Sequence, residues 1–166
     1  VKFQAFQAEH YIGNQNKERF DLIKSFELSY NQFEQLSISA KDQGLHFIST
    51  PFDIESANFL PSIVDAIKIS SGDNNFFPLL NIVAEKNKPI ILSTGLTTIN
   101  EINDAINTIE KVRINNKNIN ELAVLHCVTS YPVEPKYANL RAIQSLSNSL
   151  DYTIGYSDHT LGINAA

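Results

Sequence analysis

The feature that most constrains this chain is a repeat: short apolar runs, each closed by hydroxyl, amide or charged residues and each followed by a segment with helix character. The runs occupy residues 1–6, 45–50, 66–70, 89–94, 122–127 and, with its closing turn, 152–160. No two of them are joined by a two-residue hairpin turn. Short strands that alternate with helices pair in parallel through right-handed crossovers, so the class is α/β. A doubly wound sheet advertises a glycine-rich first turn, and no G-x-G-x-x-G stands anywhere in the sequence. A (β/α)8 TIM barrel instead gathers its polar residues at the C-terminal ends of the strands, which is where they fall here. Six units in 166 residues, against roughly 250 for the complete fold, read as a barrel fragment covering approximately strands 2 to 7.

Between the runs, helices are expected at 31–43, stopped by Gly44, then from an Asp53 cap through Leu60, at 77–85, from Thr98 or Asn100 onward, and at about 140–146. Ile99, Ile102, Ala105, Ile106 and Ile109 keep helical spacing. The polar passage 7–30, with Gly13-Asn14-Gln15-Asn16, reads as an extended loop, Asn115-Asn116-Lys117-Asn118 as a polar connector, and Ile163-Asn164-Ala165-Ala166 as the opening turn of a helix. The chain has no methionine and begins at Val1 inside a strand-like run. Residues 1–166 are therefore expected to be one partial barrel domain, lacking the first and last strands.

The net charge of −5 provides no diffuse attraction for nucleic acid or an anionic membrane surface, so any phosphate must be held by local groups. A single cysteine, Cys127, forms no internal disulfide, and neither a signal peptide nor a run of 18 apolar residues is present. A cytoplasmic enzyme is expected.

The strand ends carry the chemistry. Lys2 and Gln4 share a face that points into a barrel, where a lysine without a charge partner is costly unless it binds an anion; the rival is a lysine snorkelling from a chain end. Lys68-Ile69-Ser70-Ser71-Gly72-Asp73 sets a lysine in an apolar strand ahead of hydroxyls and a glycine, groups suited to a phosphate or carboxylate. A structural ion pair between Lys68 and Asp73 is the alternative. Ser93-Thr94-Gly95 repeats the theme. Thr50 stands at another strand end, while Asp53 reads as a helix cap. In His126-Cys127-Val128-Thr129-Ser130-Tyr131-Pro132, the histidine reads as a hydrogen-bonded core residue and the cysteine as packing, with Thr129 and Tyr131 as site-lining groups. Ser157-Asp158-His159 is too compact for a hydrolase triad, and neither H-E-x-x-H nor a cysteine-rich zinc pattern occurs. His159 with oxygen ligands suits a labile Mg²⁺ or Mn²⁺, its other protein ligand lying outside these residues.

Taken in order with Gly155-Tyr156-Ser157-Asp158-His159-Thr160-Leu161-Gly162, these motifs resemble the sialic acid synthase family, which includes N-acetylneuraminate, legionaminic and pseudaminic acid synthases. The resemblance spans the whole chain. It implies a (β/α)8 barrel that condenses phosphoenolpyruvate with an N-acetylated amino sugar, such as N-acetylmannosamine or a di-N-acetylated relative, using divalent Mn or Mg and releasing phosphate. It assigns Lys2, Lys68, Ser71, Ser93, Thr129 and Ser157 to phosphoenolpyruvate, Thr50 and Tyr131 to the sugar cavity, His159 to the metal and catalysis, and Asp73 to catalysis beside the site. It further implies a homodimer, and that a first-strand carboxylate, a second metal histidine and a small C-terminal domain are absent from 1–166, which would leave these residues inactive alone. Two alternatives remain: an aldolase forming a Schiff base at Lys68, and a non-catalytic barrel that binds a phosphate or sugar.

Overall fold

A computed structural model describes residues 1–13, 15–116 and 121–165. Its six strands are β1 (Lys2–Ala5), β2 (Ile48–Pro51), β3 (Ala66–Ile69), β4 (Ile90–Ser93), β5 (Leu122–Cys127) and β6 (Thr153–Ser157). They form one sheet in the order β1-β2-β3-β4-β5-β6, with every neighbouring pair parallel. A doubly wound sheet reverses its strand order at a switch point, and this one does not. A flat sheet would also hold β1 and β6 roughly 24 Å apart at about 4.8 Å per strand. Here Lys2 of β1 and Ser157 of β6 line the same cavity, so the sheet is curled into a barrel arc.

The helices are α1 (Ala8–Tyr11), α2 (Lys17–Ser25), α3 (Tyr30–Asp42), α4 (Ile54–Phe59), α5 (Phe77–Glu85), α6 (Ile99–Asn116) and α7 (Arg141–Ser149). The alternation of side chains along each strand divides its residues between two environments. Outward positions such as Ile67, Ile69, Ile90, Leu92 and Val124 join Leu79, Leu80 and Val83 of α5 and Ile102, Ile106 and Ile109 of α6 in the main core. Inward positions carry the polar groups. At the opposite end of the barrel, the fully buried Arg113 donates to the carbonyls of Lys88 (2.8 Å) and Glu121 (3.2 Å), tying together the starts of β4 and β5.

Local chemistry explains most of the boundaries. Asp53 caps α4, accepting from the Ser56 amide at 2.6 Å. Gly44, with φ of +69°, ends α3 as its amide bonds the Lys41 carbonyl at 2.9 Å. Thr98 and Glu101 bond each other's amides at the start of α6. Pro51, unable to donate, is tolerated because it is the last residue of β2, and the Phe52 amide takes the Ala5 carbonyl.

Several expectations need correction. The passage 7–30 is not an extended loop but carries α1 and α2. Helix α2 buries no residue, so it shows little apolar period; Asn16 caps it, and Lys24 bridges Glu9 and Glu27 at 3.0 and 2.8 Å. Strand β2 begins at Ile48 rather than 45, and α7 extends to Ser149. Asn115 and Asn116 belong to α6, while Lys117 and Asn118 lie outside the described residues, as do Asn14 and Ala166. Residues 163–165 form no helical turn. Among the described residues, no helix is long and apolar enough to cross a membrane.

Candidate active site

Inward residues of all six strands, with the turns that follow several of them, line a cavity of about 400 Å³. From β1 come Lys2 and Gln4, and the register sets Gln4 beside Thr50 on β2. Strand β3 supplies Lys68 and the turn after it Ser70 and Ser71; β4 supplies Ser93. On the far side, Cys127 of β5 pairs in register with Ser157 of β6, followed by Asp158 and His159, with Tyr131 above them.

Lys68 is the electrostatic centre. It is 8% exposed, and its ammonium donates to the Ile69 carbonyl (2.9 Å) and to the Ser93 hydroxyl. Among the described residues it joins no ion pair, so the Lys68–Asp73 pair considered from the sequence does not form. Burial pushes its pKa down to about 8; repulsion from Lys2 adds to this and Cys127 opposes it. Among the described residues the lining holds one carboxylate, Asp158, which is engaged locally: it accepts from the Thr160 amide at 2.8 Å and hydroxyl at 3.1 Å, which holds its pKa below the usual range. Two lysines that pair with no carboxylate among the described residues make an anion site.

The floor is built by cross-bracing. Ser71 Oγ accepts from the Gly95 amide at 3.0 Å, and Asn74, 4% exposed, donates to the Ser93 and Gly95 carbonyls, each at 3.3 Å. A side chain at Gly95 would meet Ser71 Oγ at 2.9 Å, Thr129 Oγ1 at 3.1 Å and the Cys127 carbonyl at 3.2 Å, so only glycine lets the β3 and β4 turns approach this closely.

His159 is half-buried, with Nδ1 3.0 Å from the Val128 carbonyl and the Tyr131 ring 4.1 Å from its own. Nδ1 must carry a proton to bond a carbonyl, so in the neutral ring the lone pair is on Nε2. His159 therefore fits one position in a metal's coordination sphere; among the described residues no group of three His, Cys, Asp or Glu side chains could complete it.

Of the residues expected at the site, Lys2, Thr50, Lys68, Ser71, Ser93, Tyr131, Ser157 and His159 converge on this cavity. Asp73 and Thr129 do not line it. Asp73 lies behind Ser70; burial raises its pKa and the Ser70 hydroxyl lowers it. Thr129 faces a second hollow of about 490 Å³ between α6 and α7, its Oγ1 buried with no hydrogen-bond partner. His126 points outward and bonds the Ala138 carbonyl at 2.8 Å, the core role expected of it. Phe52 and Asn74 were not anticipated, and Ser70 was read only as one of the hydroxyls that follow Lys68, without a role of its own. Ser70 shares the inward parity of Lys68; nothing local marks Phe52 or Asn74.

The chain matches the NeuB family over residues 1–166. It is 42% identical over 166 residues to an uncharacterized protein of Methanocaldococcus jannaschii, covering 99% of this chain and 48% of that one. It is 36% identical over 178 residues to an N,N'-diacetyllegionaminic acid synthase of Campylobacter jejuni, covering 99% and 52%. A solved N-acetylneuraminic acid (sialic acid) synthetase of Leptospira borgpetersenii superposes with a TM-score of 0.90 at 37% identity, covering 99% of this chain and 55% of that one. The chain thus spans about half the length of the relatives it matches. With the family match running unbroken through every strand end that builds the cavity, this chain belongs to the NeuB family, as its motif series implies.

Proposed function

We propose that the full-length protein condenses phosphoenolpyruvate with an N-acetylated amino sugar, N-acetylmannosamine or a di-N-acetylated relative, giving a nonulosonic acid and phosphate. One observation carries this reading: among the described residues, Lys2 and Lys68, with the hydroxyls of Ser71, Ser93 and Ser157, face one cavity whose single carboxylate, Asp158, is bonded by Thr160 and pairs with neither lysine. Phosphoenolpyruvate brings the missing charge, as a phosphate and a carboxylate on one small molecule. The synthases among the relatives support the same class of reaction.

In this reading Lys68 and Lys2 hold the anion, and Ser71, Ser93 and Ser157 orient it through hydrogen bonds, with Thr129 behind the Gly95 turn. Thr50 and Tyr131 wall the side where the sugar enters. C3 of phosphoenolpyruvate forms a bond to the aldehyde carbon, whose oxygen gains a proton. Water adds at C2 and the C–O bond to phosphate breaks, leaving a ketone at C2; of the two protons of that water, one ends on the former aldehyde oxygen and the other on the departing phosphate. Asp73, its pKa raised by burial, sits one hydroxyl away from the cavity and passes protons through Ser70. A divalent Mn or Mg ion held by His159 would supply Lewis acidity at the aldehyde oxygen.

The test is phosphate release by the full-length protein given phosphoenolpyruvate and a panel of N-acetyl and di-N-acetyl hexosamines, with and without EDTA. Metal-dependent release with one sugar is expected. Binding of phosphoenolpyruvate without release under any condition would overturn the reaction.

A further inference from the structure

Asn74 is not among the residues that line the 400 Å³ cavity, yet both ends of the segment that carries Ser93 are tied to it. It sits in the turn after β3, which is closed by the Asp73 amide on the Ser70 carbonyl (3.1 Å) and the Phe76 amide on the Asp73 carbonyl (3.0 Å). From there Nδ2 donates one hydrogen to the Ser93 carbonyl and the other to the Gly95 carbonyl, each at 3.3 Å. The side chain is 4% exposed and has no further hydrogen to give. On the opposite side, the Thr94 amide and hydroxyl both donate to the Leu125 carbonyl of β5, each at 3.0 Å. Ser93, Thr94 and Gly95 are thus gripped from the β3 side and the β5 side at once.

The grip decides which way two hydroxyls point. An ammonium and a peptide N–H only donate. Ser93 Oγ accepts from the Lys68 ammonium and Ser71 Oγ from the Gly95 amide (3.0 Å), so each hydroxyl keeps its own hydrogen for another acceptor. Among the described residues neither hydrogen finds an acceptor in the protein, and both serines line the cavity. At this end the cavity therefore presents Lys68 and two O–H groups, all donors, to whatever enters. An oxyanion accepts from every one of them, and its affinity depends on those hydrogens staying aimed inward.

We propose that Asn74 is a positioning residue of the anion site: by holding the Ser93 and Gly95 carbonyls, its amide keeps Ser93 Oγ on Lys68 and the Gly95 amide on Ser71, and so turns both hydroxyl hydrogens toward the bound anion. The assignment rests on the phosphoenolpyruvate reading above only for the identity of that anion. Without the two donated hydrogens the peptide planes on either side of Thr94 are free to rotate, and the Gly95 amide leaves Ser71.

The experiment is a double-mutant cycle on the full-length protein, with phosphoenolpyruvate affinity measured by calorimetry in the absence of acceptor sugar. Asn74→Leu keeps the size of the side chain and removes its donors; it should weaken binding tenfold or more. Ser71→Ala should weaken binding at least fivefold in the unaltered protein but less than twofold in the Asn74→Leu background, where the hydroxyl it removes is already misdirected. A loss of twofold or more from Ser71→Ala in that background, or unchanged affinity in Asn74→Leu itself, is what a brace serving folding alone would give, and either result overturns the proposal. If the unaltered protein takes inorganic phosphate but not phosphoenolpyruvate, the substrate reading falls and the same cycle on phosphate judges Asn74. Binding of neither anion overturns both. If Asn74→Leu does not fold, a crystal structure of the unaltered full-length protein with sulfate decides. Both serine Oγ atoms within hydrogen-bond distance of the anion, with Asn74 still on the two carbonyls, supports the assignment; an anion that leaves either hydroxyl unbonded overturns it.

Discussion

The imidazole of His159 is set by Val128, whose carbonyl oxygen lies 3.0 Å from Nδ1. Because that contact needs an N–H, the free lone pair is on Nε2, the nitrogen available to a cation. His159→Gln in the full-length protein should weaken Mn²⁺ binding by at least about tenfold, as measured by electron paramagnetic resonance. Unchanged affinity would remove His159 from the metal site.

Lys68 should impose a distinctive pH dependence. Its folded pKa of about 8 lies below its ordinary 10.5, so the folded state releases the proton first. Below pH 8 both states are protonated and the cost of burying the charge is fully present. Between about 8 and 10.5 the unfolded chain binds the extra proton, so stability rises with pH, by up to about 3 kcal/mol. Lys68→Met should remove this rise and stabilise the protein near neutral pH, seen as a higher urea midpoint. Binding reverses the preference: phosphoenolpyruvate needs the ammonium, so its calorimetric affinity should fall as pH passes 8. A flat affinity profile to pH 9.5 would contradict the role given to Lys68.

A lysine with so low a pKa also suits Schiff-base chemistry, and the two uses are separable. Borohydride added with phosphoenolpyruvate, or with a keto acid, should leave Lys68 unmodified by peptide mass spectrometry. A reduced adduct on Lys68 would favour the aldolase alternative.

Gly95→Ala should damage binding more than folding. The new methyl would sit 2.9 Å from Ser71 Oγ and 3.1 Å from Thr129 Oγ1, displacing Ser71 from the Gly95 amide it braces. A tenfold or greater rise in the phosphoenolpyruvate KM is expected, with circular dichroism unchanged.

Gly155→Ala tests the barrel interior away from the site. A Cβ there would meet Leu125 Cδ2 at 2.7 Å, and because that atom is the tip of a half-buried, flexible side chain the loss of stability should be modest, about 1 kcal/mol. Leu125→Ala should relieve much of it, so the double variant should be more stable than the sum of the single changes predicts. Strict additivity would show that the two do not touch.

Much of this architecture was legible in the chain. The apolar runs and their flanking helices declared parallel β/α units, Asp53 and Gly44 declared their capping roles, and the inward parity of Lys2, Lys68 and Ser93 placed them on the interior face of the barrel. Helix α2 was hidden because a helix that buries nothing leaves no apolar period to read. Asn74 was hidden because its partners, the Ser93 and Gly95 carbonyls, belong to the next turn. Sequence alone determined which face of each strand a residue occupies, since the two-residue alternation is a property of the extended backbone. Only the tertiary structure decided what those faces meet. The curl that brings Lys2 and Ser157 to one cavity, the turning of Asp158 toward Thr160 that leaves Lys68 without a counter-charge, and the diversion of Thr129 into a neighbouring hollow all arise from packing between distant segments, which local spacing does not encode.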